Sequence, residues 1–286
     1  MRYRVRHTTH YGYQEPVSLG HNQVVGAPRP HPAQEVSEAR LEIEPVPAVI
    51  ARRRDYFGNA VTFFEIHEPH TELTVTIRFL VEVRPAQEYT ASPPWERVVE
   101  QLVGDRAYLA ERAFCFDSPY VEAGEDLADY ARASLTPGRP LVEGVLDLMG
   151  RIHREFRYDP EATDLSTGLK EVLSNRRGVC QDFAHLQIGM LRSLGLAARY
   201  VSGYLLTTPP PGQPRLVGAD ASHAWLSVFC PPYGWVDFDP TNNQIPYESH
   251  ITMAWGRDYD DVSPVKGVVL GGGEQKVSVA VDVLPT

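Results

Sequence analysis

From Tyr3 to about residue 88 the apolar residues alternate with polar ones and never recur at helical spacing, which commits the first third of the chain to strands. Tyr3, Val5, His7, Thr9 and Tyr11 alternate with Arg4, Arg6 and Thr8; Leu41 and Ile43 alternate with Glu42 and Glu44; Leu73, Val75, Ile77 and Phe79 continue the pattern. Turns such as Gly26-Ala27-Pro28-Arg29-Pro30-His31-Pro32 and Phe57-Gly58-Asn59 separate the runs. Successive strand side chains point to opposite faces, so each run buries one face. The expected unit is an N-terminal antiparallel β-sandwich-like domain over residues 1–90. Arg84-Pro85-Ala86-Gln87-Glu88-Tyr89-Thr90-Ala91-Ser92-Pro93-Pro94 then reads as a linker.

Beyond the linker the period changes. A mixed stretch holds short helices around 125–134, and Pro140 opens a helix in which Leu141, Val145, Leu148, Ile152 and Phe156 share a face until Asp159-Pro160. From Cys180 onward Phe183, Leu186, Met190, Leu191 and Leu194 form the stripe of an amphipathic helix, and Gly195 supplies its stop. Strands return at 199–205, 223–229 and 235–239, with Pro231-Pro232-Tyr233-Gly234 as the turn between the last two. A closing pair at 265–270 and 275–284 flanks Gly271-Gly272-Gly273. Helices followed by strands predict an α+β core over residues 91–286, closing strands included.

The stretch Gly178-Val179-Cys180-Gln181-Asp182-Phe183-Ala184-His185-Leu186 places a thiol where a loop becomes a helix. Backbone N–H groups in the first helical turn lack intrahelical acceptors, and the positive end of the helix dipole lies there. Both favour a thiolate, which is the nucleophilic form of cysteine. Such a nucleophile needs a base within hydrogen-bond reach, and the base needs a third group to fix its tautomer and balance its charge. Ser222-His223-Ala224-Trp225 and Trp235-Val236-Asp237-Phe238-Asp239-Pro240-Thr241 supply both. In a hairpin the numbers of paired residues sum to twice the turn centre. His223 opposite Asp239 needs a centre at Pro231, and opposite Asp237 a centre at Cys230; turn residues begin at 231, which makes Asp239 the better partner. Both aspartates share a face, so register alone separates them.

Each residue taken singly has an ordinary reading. Buried free cysteines act as small hydrophobes, strand histidines are mostly satisfied core or surface groups, and Asp before Pro-Thr is commonly a turn residue. The joint occurrence of helix-start Cys180, strand His223 and strand Asp239 points to catalysis. Tyr158, ending the preceding helix, and Trp225, beside the histidine, are candidates to line the thiol pocket, with Tyr158 a second oxyanion donor; Trp225 equally suits core packing. His185 lies about 140° round the helix from Cys180, so the two cannot share a metal, and His185 is expected to face the core. The proline in His67-Glu68-Pro69-His70 denies that cluster a helix. Asp258, Asp260 and Asp261 lack the periodicity of a calcium loop and are expected in a solvated turn. Asp182 reads as a helix N-terminal carboxylate.

A formal net charge of −10 argues against a nucleic-acid footprint. The basic run Arg52-Arg53-Arg54 is expected to be a solvated turn. Three cysteines, Cys115, Cys180 and Cys230, at irregular spacing do not form a disulfide framework, which fits a reducing compartment. The start lacks the apolar run of a signal peptide and no segment has membrane length, so the expectation is a cytoplasmic protein without membrane partners.

These motifs resemble the bacterial transglutaminase-like family of cysteine enzymes, within the papain-like superfamily. The resemblance rests on Gly178 to His185, Tyr200-Val201-Ser202-Gly203-Tyr204, Asp220-Ala221-Ser222-His223-Ala224-Trp225 and Gly234-Trp235-Val236-Asp237-Phe238-Asp239-Pro240-Thr241-Asn242-Asn243. It extends to His250-Ile251-Thr252 and Gly256-Arg257-Asp258-Tyr259-Asp260-Asp261-Val262, and at the start to His7, Thr8, Tyr11, Pro28-Arg29-Pro30 and Gln34. The resemblance implies a papain-like core with Cys180 as nucleophile, His223 as base and Asp239 as its orienting partner. It further implies a thioester route on peptide or protein amides, resolved by water or by an amine acceptor, with no metal or organic cofactor. The calcium sites of the animal enzymes have no counterpart motif here. The rival reading is a catalytically silent scaffold whose β domain holds a partner.

Overall fold

The computed structural model describes residues 1–85, 89, 91–164, 167–206 and 221–286. Asp220 of the histidine motif and residues 86–88 and 90 of the linker lie outside this set. The elements run β1 Arg2–Ala27, β2 Gln34–Glu44, β3 Val49–Arg54, β4 Ala60–Ile66, β5 His70–Val83, α1 Trp95–Gly104, α2 Leu109–Arg112, α3 Glu125–Arg132 and α4 Leu141–Glu155. They continue with β6 Arg157–Tyr158, α5 Leu169–Asn175, β7 Arg177–Gly178, α6 Cys180–Arg192, β8 Ala198–Leu205, β9 Ala221–Cys230, β10 Gly234–Phe238, β11 His250–Gly256, α7 Tyr259–Val262, β12 Val265–Gly271 and β13 Gln275–Pro285.

The alternating N-terminal runs form one antiparallel sheet in the order β2-β5-β1-β4-β3. Its axis is β1, whose 26 residues outlast any single neighbour. The first half of β1 pairs with β5 and the second half with β4, as Tyr3↔Val81 and Val24↔Thr62 show. The triple arginine lies in β3, exposed but in a strand and not a turn.

The closing strands pair with this sheet, whereas the sequence grouped them with the α+β core. β13 pairs with the first half of β1, from Tyr3↔Pro285 to Tyr13↔Gln275, and β12 with the second, as Val24↔Val265. They are not a hairpin, because both run the same way along β1. Gly271, Gly272 and Gly273, at φ of 93°, 89° and 59°, kink the chain between them where a side chain would strain it. A Cβ at Gly271 would stand 2.6 Å from the Pro16 carbonyl oxygen. Alternation identified these strands but carried no information on the neighbour they would choose.

The core is a four-stranded sheet, β10-β9-β8-β11, with α6 packed against β8 and β9. On its other side α6 meets α3, α4 and α5. It is therefore buried all round, Gln187 and Gly189 included, where a stripe predicted one exposed face. A Cβ at Gly189 would come within 2.9 Å of Leu169 and 3.0 Å of Leu127, so this glycine sets how closely α3 and α5 approach. Buried Arg192 is satisfied by the carbonyls of Phe114, Ala198 and Arg257 and by Ser118 Oγ.

β11 is an edge strand, and side chains of the N-terminal sheet close it. The Gln34 carboxamide donates to Thr252 O at 2.7 Å and accepts from Thr252 N at 3.0 Å. Asn59 does the same for Trp255, at 2.8 and 3.1 Å. Between them Arg29 N donates to Met253 O at 3.0 Å, and the Arg29 guanidinium lies 3.2 Å from the centre of a Trp255 ring. Two carboxamides thus imitate a neighbouring strand and leave no bare ladder groups at Thr252 or Trp255. Among the described residues no helix is long and apolar enough to cross a membrane.

Candidate active site

Cys180 is the first residue of α6, after Val179 in extended conformation. Asp182 secures this corner. Its Oδ2 accepts from Val179 N at 2.8 Å and from Thr163 Oγ1 at 2.6 Å, and burial holds its pKa above the usual carboxylate range despite these bonds. A methyl on Gly178 would lie 2.7 Å from Asp182 Oδ2 and 2.9 Å from its Cβ, so the turn needs a residue without a side chain. The Cys180 thiol is half-buried. Burial pushes the thiols of Cys115 and Cys230 up to about 11, which leaves both as neutral packing groups.

His223 stands on β9, paired with Gly203 of β8, where nothing larger fits: a Cβ there would lie 2.1 Å from Ile251 O. Its Nε2 lies 2.8 Å from Asp239 Oδ2 and 3.3 Å from Asn242 Nδ2; the Cys180 thiol is a further side-chain partner, for which Nδ1 is the ring nitrogen left over. Burial opposes charge on this ring, yet Asp239 and Cys180 together push its pKa up to about 10. Asp239 is fully buried and faces five donors. His223 Nε2, His250 Nε2 at 3.0 Å and Asn242 Nδ2 at 2.8 Å address Oδ2; the backbone N–H groups of Thr241 and Asn242 address Oδ1. Burial alone would raise the Asp239 pKa, but these hydrogen bonds hold it well below the usual carboxylate range.

The route by which Asp239 reaches His223 differs from the expected one. Cys230 pairs with Gly234 and Leu226 with Phe238, so the hairpin is centred on Pro232, one residue beyond the predicted Pro231. Gly234, counted above as turn, has φ 77° and already belongs to the ladder, giving a three-residue loop. Asp239 lies past the ladder, in a bridge with Gln244, and meets His223 diagonally instead of directly opposite. Asp237 sits opposite Ser227 and accepts from Ser227 Oγ and, at 3.1 Å, from Trp225 Nε1.

Trp225 is fully buried behind the histidine, 5.3 Å from the His250 ring and perpendicular to it. It belongs to the core and does not line the cleft, because Asp237 draws its indole N–H inward. Tyr158 is 53% exposed and also outside the cleft lining, though Cys180 adds to the burial that raises its phenol pKa. His185 faces the core as expected: it is buried, accepts from Tyr259 N at 3.1 Å, and burial pushes its pKa down to about 3. Asp258 is buried rather than solvated, capping α7 and accepting from Tyr120 N at 2.8 Å. His67 pairs with Glu65, and His70 bonds the Glu68 carbonyl, so that cluster does not converge.

His250 and Asn242 escaped the residue-level reading of the site. His250 opens β11, whose run is buried on both faces and so shows no alternation, and Asn242 lies in a turn where Asn is ordinary. The donor atoms of His223, Asp239 and His250 lie within 4.8 Å of one another, close enough to share a cation. The hydrogens that the two histidines and Asn242 direct at Asp239 Oδ2 occupy the lone pairs a cation would need.

A cleft of about 290 Å³ opens over the thiol, between core and N-terminal sheet. The core side presents Cys180, Gln181, Tyr200, Ser202, His223 and Tyr259, and the sheet side Thr9, Tyr11, Val277 and Val279. The arrangement can hold a thiolate against an imidazolium, with the helix start beside it.

Residues 3–82 match the family model of the bacterial transglutaminase-like N-terminal region, and residues 127–240 that of the transglutaminase-like superfamily. An uncharacterized protein of Mycobacterium tuberculosis is 42% identical over 294 residues, spanning 99% of this chain and 93% of that protein. A protein-glutamine gamma-glutamyltransferase of Pseudomonas aeruginosa is 33% identical over 124 residues, 42% of this chain and 18% of the enzyme. A crystal structure from Cytophaga hutchinsonii, described as a candidate cysteine protease, superposes with a TM-score of 0.76 at 21% identity, covering 100% of this chain and 91% of that one. That likeness shows the fold.

Proposed function

The chain belongs to the transglutaminase-like superfamily, and we propose that it is a cysteine-dependent amidase whose catalytic residues are Cys180, His223 and Asp239. The observation that carries this reading is His223 held between a fully buried carboxylate at 2.8 Å and the thiol at the start of α6. The gamma-glutamyltransferase relative and the cysteine-protease neighbour support the same chemistry.

In the reacting form Cys180 attacks as a thiolate and His223, held by Asp239, carries the proton. Cys180 Sγ attacks the carbonyl carbon of a peptide or protein amide, and the carbonyl π electrons move to oxygen. The Cys180 N–H at the helix start is placed to stabilise that oxyanion. As the tetrahedral intermediate collapses the C–N bond breaks, and the His223 Nδ1 proton goes to the departing amine, leaving a thioester and neutral imidazole. Water or a primary amine then attacks the thioester and gives its proton to His223; the C–S bond breaks, and thiolate and imidazolium return. Asp239 holds the ring by its Nε2–H throughout. Water needs no second binding site, so hydrolysis is the outcome we favour over transfer.

The test is alkylation of Cys180 by iodoacetamide, located by peptide mass spectrometry, between about pH 5 and 9 in the native protein and in His223→Ala; an ordinary thiol reacts appreciably only near about pH 8.5. Fast, His223-dependent labelling at low pH is the expected result. An ordinary profile, alike in both proteins, overturns the triad and favours the scaffold reading.

A further inference from the structure

The sheet that forms one wall of the cleft has a property the triad does not explain. Across β1 and β13, His7 is paired with Val281, Thr9 with Val279 and Tyr11 with Val277, so all six share one face. Under the core that face is sealed, with Val281 at 1% exposure, His7 at 3% and Thr9 at 5%. His7 bonds there to the Tyr204 hydroxyl at 2.7 Å. Further along, the same face emerges beside Cys180, where Val279 is 54% and Val277 51% exposed. Two valines on one face, open to solvent and continuous with a cleft, are apolar surface that folding has left unused.

Charge points the same way. In a chain of net charge −10, the described residues lining this cleft include no Lys, Arg, Asp or Glu. Burial, helped by Tyr13 and Tyr259, pushes the Tyr11 phenol up to about 12, so it too stays neutral. A cleft of about 290 Å³ is at the small end for ligand pockets and suits one or two residues of a peptide. A charged side chain entering it would lose water and find no counter-ion outside the Cys180–His223 pair, which already balances itself.

We propose that Tyr11, Val277 and Val279 form a specificity subsite for an uncharged, apolar side chain adjoining the amide that Cys180 attacks. This rests on the amidase reading, and it assigns the N-terminal sheet a direct part in substrate selection. β13 contributes the valines, so the strands that close the chain also shape its active site.

The probes are acetylated dipeptidyl chloromethyl ketones ending in Leu, Ser, Glu or Lys, which alkylate the cysteine without requiring turnover. The wild-type protein is expected to react with the Leu reagent about tenfold or more faster than with the Glu reagent. Val277→Asp and Val279→Asp should slow the Leu reagent and favour the Lys reagent over it, each rate being taken relative to iodoacetamide labelling of Cys180 in the same variant. Val279→Thr, which keeps the shape and adds a hydroxyl, guards against misfolding and should lower the Leu preference several-fold. A wild-type Leu-to-Glu ratio near one, or a preference for Leu over Lys that is unchanged in Val277→Asp and Val279→Asp, overturns the subsite while leaving the triad intact. An ordinary thiol profile with iodoacetamide would instead sink the triad, and the Leu-to-Glu ratio would still decide the subsite.

Discussion

His223 Nε2 lies 2.8 Å from Asp239 Oδ2, although the strand ladder does not place the two residues opposite each other. The contact depends on the chain turning back at Asp239 into its bridge with Gln244. Asp237, which remains inside the ladder, has its carboxylate committed to Ser227 and Trp225.

Asp239→Asn should therefore cost far more rate than Asp237→Asn. The amide would present a donor or a weaker acceptor to His223, and the loss expected is about a thousandfold or more in kcat/KM or in low-pH labelling of Cys180. Asp237→Asn should instead lower the urea midpoint and leave labelling within a few-fold. The reverse ranking would show that Asp237 orients the histidine.

His250 sets the charge of the pair at one remove. Its Nε2–H is one of the hydrogen bonds that keep Asp239 ionised. His250→Phe should leave the thiol in place but raise the pH at which labelling begins, with about ten- to a hundredfold less reaction near pH 5. An unshifted profile would confine His250 to packing.

His7 predicts acid sensitivity. Burial pushes its pKa down to about 4, so near neutral pH it is uncharged in both the folded and unfolded chain. As pH falls below the unfolded value of about 6.5 the unfolded chain takes up a proton that the folded one refuses, and stability drops until about pH 4. His7→Gln should remove part of that slope, measured as a smaller difference between urea midpoints at about pH 7.5 and pH 4.5. His223 has the opposite sign. Its raised pKa contributes stability below about pH 6.5 that is lost as pH rises towards about 10, so His223→Ala should be relatively less destabilising in alkali.

Gln34→Ala and Asn59→Ala each strip the amide partners from one residue of β11. With an N–H and a C=O left unpaired in a buried place, each should cost about 2–5 kcal/mol in denaturant unfolding. A loss below about 0.5 kcal/mol would mean that β11 does not rely on these side chains.

The pattern of alternation and the helix-start thiol were readable because both are local: strand faces at period two, and Cys180 three residues before the first apolar position of α6. His223 and Asp239 were readable as a pair because a proline-rich turn joins their strands. What escaped depends on neighbours distant in the chain. β11 is covered on both faces and shows no period, α6 is enclosed by helices that lie elsewhere in sequence, and β12 and β13 choose β1 across more than two hundred intervening residues. The one-residue shift of the hairpin came from Gly234, whose left-handed backbone lets it pair where it was expected to turn.

The carboxamide seal on β11 has a consequence for how this protein can fail. Strip away the N-terminal sheet and the core would present a bare strand edge, Ile251-Thr252-Met253-Ala254-Trp255, rich in apolar residues and free of charge and proline. Such a segment is a template for pairing with copies of itself. Proteolysis or mutation that frees the sheet would thus yield aggregate in place of a smaller, independent enzyme.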